Sequence, residues 1–114
     1  MTNKEMQVLK EKYEKSLNEK LSGKIYKESE KIELVNIIGN DFVNIVNNEL
    51  KLNSFNMKTS KTMNILFFTI ISEEKNLVNI LISTKEISEN VLKINEIQID
   101  FLINEDFINK NLCE

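Results

Sequence analysis

The chain has 114 residues, 41% of them hydrophobic and 29% charged, with a formal net charge of −3. That length suits one domain over residues 1–114, and that balance is globular, which excludes a second independent core, wholesale disorder and a membrane-embedded bundle. With no histidine and one cysteine, Cys113, zinc, haem and iron–sulfur ligation within one chain are excluded, as are His-dependent nucleophile arrangements. The only glycines, Gly23 and Gly39, cannot write a phosphate-cradling loop. No cofactor or metal is expected, and no enzymatic activity: a general base would have to be a perturbed carboxylate or lysine.

All fifteen basic residues are lysine, and the chain contains no alanine, arginine or proline, which reflects AT-biased coding rather than activity. The polar start at Met1-Thr2-Asn3-Lys4-Glu5 lacks the apolar stretch of a signal peptide. The longest charge-free apolar run, 62–72, is far short of the ~20 residues that span a bilayer, so the expected place is the cytoplasm, without membrane contact. Charge is uneven along the chain. Residues 1–31 carry eight lysines against six acids, whereas 63–114 carry four against nine.

Residues 3–22 read as a surface helix, with Met6, Leu9, Tyr13, Leu17 and Leu21 at spacings of three and four. Ser22-Gly23-Lys24 reads as its C-terminus, with Gly23 left-handed. A second helix is expected from an N-cap at Ser29 to about Leu50, its polar stripe Glu33, Asn36, Asn40, Asn44, Asn47 and Lys51 opposite a broad apolar face. Gly39-Asn40-Asp41 offers a turn that would make this a helix-turn-helix. Because the polar stripe keeps its phase through Gly39, a continuous helix is favoured.

Residues 51–61 read as a polar connection with room for a short extended piece at Phe55 and Met57. Met63 to Ile71 is β-branched and aromatic on both alternating sets, as for a strand covered on both faces. A polar link at 72–76 and a run from Leu77 to Thr84 complete a hairpin. Ile97, Ile99, Phe101 and Ile103 alternate with Gln98 and Asp100 as a third strand, extended back towards Val91 in preference to a helical turn. Asn104, Glu105 and Asp106 read as the cap and first turn of a short terminal helix bearing Phe107, Ile108 and Leu112. The expected architecture is α+β: two N-terminal helices packed on a three-stranded antiparallel β-meander, with a short C-terminal helix.

The surplus apolar face of strand 63–71 and the acidic C-terminal half point to a small protein-binding module: an accessory subunit, inhibitor, antitoxin or immunity-type protein, of the kind mobile elements carry. Its partner would be another protein with a basic surface, or a second copy in a homodimer. The polar part of the contact would come from Glu73 and Glu74 in the hairpin and from Glu96, Asp100, Glu105 and Asp106 around the third strand. The alternative is a DNA-binding accessory protein of winged helix-turn-helix type. It would use 41–50 as recognition helix with Asn44, Asn47 and Asn48, the hairpin as wing, and Lys51, Lys58 and Lys61 on phosphates. Asp41 and Glu49 on that helix count against nucleic acid, which is the less favoured partner.

Overall fold

The computed structural model describes residues 2–103, which form two helices and one five-stranded antiparallel sheet. Helix α1 spans Asn3–Leu21. Thr2 caps it reciprocally, the Glu5 N–H donating to the Thr2 hydroxyl at 3.1 Å and the Thr2 N–H to the Glu5 carboxylate at 3.3 Å. Its five spaced apolar residues are all buried, as the periodicity predicts. Gly23, at φ +84°, turns the chain into a three-residue strand β1, Ile25–Lys27.

Helix α2 follows a single 3₁₀ turn, Glu28–Glu30, in which the Glu30 carboxylate accepts the Lys27 N–H. The helix therefore starts at Lys31, and Ser29 is not its cap. Three parts make up α2: α-helical Lys31–Asp41, a π-helical turn Phe42–Val46, and a last α-helical turn Asn47–Leu50. The chain stays helical through Gly39, so the helix-turn-helix outline is not formed. The π turn has a cause in the sequence. Leu34, Ile38, Phe42, Val46 and Leu50 are all buried and recur every four residues. In an α-helix of 3.6 residues per turn such a row drifts by about 40° per step, and one wider turn brings it back over the core. That row is fully covered, Val35, Ile37 and Ile45 beside it are half-buried against the core, and Ile32 and Val43 on the broad apolar face stand exposed.

Strands β2 (Asn56–Thr62), β3 (Ile65–Ser72), β4 (Lys75–Ser88) and β5 (Val91–Phe101) follow, and the sheet order is β1-β5-β4-β3-β2. The three-stranded meander with two helices is thus corrected to five strands, the additions being β1 and β2 at the two edges. The expected terminal helix lies outside the described residues. Both added strands escape pattern reading for a physical reason. In β1 only Tyr26 points into the core, and three residues carry no periodicity; β2 is an edge whose residues are exposed apart from half-buried Met57.

Both helices pack on one face of the sheet, where Leu66, Phe68, Ile70, Ile80, Ile82, Ile97 and Ile99 join their buried side chains in a single core. Tyr13, fully buried, donates its hydroxyl to the Ile38 carbonyl at 2.8 Å and meets the Phe42 ring edge-on; Phe42 in turn meets Phe55. Asp41 is also buried. It accepts from the Ser16 hydroxyl at 2.7 Å and pairs with Lys20, tying α2 to α1. Burial foremost, and then the Asp41 charge, push the Tyr13 phenol well above its usual pKa.

Candidate functional site

Two surfaces stand out once the core is accounted for: the outer face of the sheet, and a pocket at the end of the core where α2 begins.

Because strand neighbours pair in register, the outer face can be read row by row. One row runs Gln98, Leu81, Phe67, Ser60; the next towards one end runs Glu96, Ser83, Ile65, Thr62; towards the other end it runs Asp100, Asn79, Thr69, Lys58. Ile65, Phe67 and Leu81 form a half-buried apolar centre. Acids border it on β5, and hydroxyls with Lys58 border it on β2. Among the described residues no helix lies over this face, since the buried sides of α1 and α2 all join the core on the other side. Thr69 and Asn79 bond to one another within the central strands, at 3.1 Å.

The acids expected to form a contact do not gather in one place. Glu96 and Asp100 share the outer face and are exposed. Glu73 and Glu74 occupy the β3–β4 turn at the end of the sheet, both with positive φ (51° and 65°), the left-handed pair that a tight hairpin turn demands. Glu105 and Asp106 lie outside the described residues. Sequence reasoning identified a surplus apolar face on strand 63–71 but named none of its residues as contacts; the alternation of Phe67 with buried Phe68 was the signal available.

The pocket has a volume of about 180 Å³. Tyr26, Leu34, Leu66, Leu92 and Ile94 form its apolar wall, from the four elements β1, α2, β3 and β5, and each is buried. Lys27, Lys31 and Lys61 stand at its rim with Glu28, which pairs with Lys61. The Tyr26 phenol is held above its usual pKa, first by burial and then by the carboxylates of Glu33 and Glu30. No local pattern announces a wall built from four separate elements, so it was invisible before the fold was known.

Chemically, one surface offers an apolar centre with a polar border and the other a small apolar cavity with a charged rim. Among the described residues no group of three or more carboxylates or thiols could hold a metal ion, and no helix is long and apolar enough to cross a membrane. Compared with known proteins, the chain matches no protein family, no curated protein and no solved structure.

Proposed function

We propose that this protein is a small cytoplasmic binding module that acts by occupying the surface of a partner protein with the outer face of its sheet. One observation carries the reading: an apolar centre, Ile65, Phe67 and Leu81, lies on a face that no described helix covers and is bordered by charged and polar side chains on both flanking strands. Protein interfaces have that layout, with an apolar middle that excludes water and a polar rim that sets orientation. Glu96 and Asp100 make the β5 border acidic, which suits a partner with basic groups opposite them. An inhibitor, an antitoxin, an immunity-type protein or an accessory subunit needs nothing beyond such occupancy.

The test is affinity capture from the native lysate, with and without nuclease, using the natural chain and a Phe67→Glu/Leu81→Glu variant. Both substituted side chains point away from the core, so circular dichroism should show an unchanged fold. A protein partner held in near-stoichiometric amount, insensitive to nuclease and lost with the variant, is the expected result. Equal capture by the variant would show that the contact lies elsewhere, and capture that disappears with nuclease would return the protein to the nucleic-acid reading.

A further inference from the structure

The pocket at the start of α2 opens beside the one long strand edge that nothing in the described chain covers. Lys61 lines the pocket and pairs in register with Leu66 of its wall, so β2 is the lip of the cavity. Strand β2 is the end member of the sheet, seven residues long and almost wholly exposed, with β3 as its only described neighbour. It carries Lys58 and Lys61 and no acid. Lys27 and Lys31, at the far rim, form no ion pair among the described residues.

We infer that the β2 edge and this pocket together bind an extended acidic segment of another protein, which adds as a sixth strand and places one bulky apolar side chain in the cavity. The inference is independent of the outer face. Pocket size sets the apolar part: a cavity of ~150 Å³ lined by aliphatic side chains accepts benzene, whereas pockets for whole small-molecule ligands run from about 300 to 1,000 Å³. At about 180 Å³ this one holds a single Phe-sized group. Geometry sets the backbone part. An exposed edge pairs with any extended chain through main-chain hydrogen bonds, and a pocket beneath one alternate position supplies the selectivity. Charge sets the rest. Lys58 on the strand and Lys27 and Lys31 at the mouth, none of them in an ion pair among the described residues, favour carboxylates flanking the buried side chain, while Lys61 is shared with Glu28, and Glu33 and Glu30 act on Tyr26.

The experiment is fluorescence anisotropy with a labelled nonapeptide of glutamate and threonine carrying one central Phe, against the full-length chain. Saturable binding that weakens about tenfold when the central Phe is replaced by Ala is expected, as for a side chain that fills a buried pocket. Lys31→Glu and Lys61→Glu, the first on a half-buried and the second on an exposed side chain, should each weaken it several-fold, and Phe67→Glu/Leu81→Glu should leave it unchanged. Amide and methyl NMR shifts should move along β2 and at Leu66, Leu92 and Ile94. Equal affinity for the Phe and Ala peptides, equal affinity for a peptide with lysine in place of glutamate, or shifts confined to the outer face would each overturn the proposal. A dimer in sedimentation whose β2 amides are protected from exchange would also overturn it, by giving the edge to a second copy.

Discussion

The two edges of the sheet are finished by opposite means. Along β5 the chain covers its own edge in an unbroken series. The Glu28 N–H reaches the Asn90 carbonyl, β1 pairs with residues 91–93, and Gly23 and Lys24 exchange hydrogen bonds with Ile94. The Ser22 hydroxyl then donates to the Asn95 carbonyl at 2.9 Å. Asn18 mimics a strand: its amide donates to the Ile97 carbonyl at 3.0 Å and accepts the Ile97 N–H at 3.1 Å, and one step on Glu14 accepts the Ile99 N–H at 2.8 Å. Along β2 there is no such cover among the described residues, and two lysines stand there instead. Closing an edge with hydrogen bonds commits it to the fold, whereas guarding it with charge deters indiscriminate pairing and leaves it open to a chosen partner.

Four measurements would break or sharpen that contrast. The largest effect belongs to Asn18→Leu, which strips the N–H and the carbonyl of Ile97 of their partners together; urea unfolding should show a loss of about 2–4 kcal/mol. Glu14→Ala removes one charge-assisted acceptor from the same edge and should cost about 1–2 kcal/mol in the same assay. Alkaline pH attacks α1 through Tyr13. Its folded-state pKa lies above the unfolded value, so its protonated form is the one the fold favours. Stability is full below about pH 10 and should then fall by about 1.4 kcal/mol per pH unit as the unfolded chain loses the proton first. Thermal melts of Tyr13→Phe should show a shallower decline across that range. The smallest effect on stability, within about 0.5 kcal/mol, is expected for Lys58→Val/Lys61→Val, because both side chains are exposed. Light scattering should nevertheless report concentration-dependent association of this variant, while the natural chain at the same concentrations stays smaller.

What could be read before the fold was known follows the same contrast. Helix α1, the strands β3 and β4, and the backward extension of β5 to Val91 were legible because each buries one periodic set of side chains. The covered edge and the open edge were not. Asn18 and Glu14 read as ordinary polar residues of a helix surface, since their partners at Ile97 and Ile99 lie far along the chain. The β2 segment Asn-Met-Lys-Thr-Ser-Lys-Thr lacks alternation because neither of its faces is well covered. The four-residue apolar row in α2 did contain the π turn, although a reading by α-helical period alone treats such a row as a broad face. Of the six acids proposed for contact, Glu73 and Glu74 stand in the hairpin turn and Glu96 and Asp100 on the third strand of the reading, where the sequence put them, but a linear reading does not say that the turn and the outer face are separate places.

The closure of β5 by α1 also bears on how the chain folds as it leaves the ribosome. Of the described elements α1 is made before the others, and the strand that receives Asn18 and Glu14 is made last. Until then the apolar row of α1 has α2 to pack on but not the sheet, and Asn18 and Glu14 lack the backbone groups they bond. Nearly the whole described chain must therefore be synthesised before α1 can close the β5 edge, which makes completion of the fold depend on contacts distant in sequence.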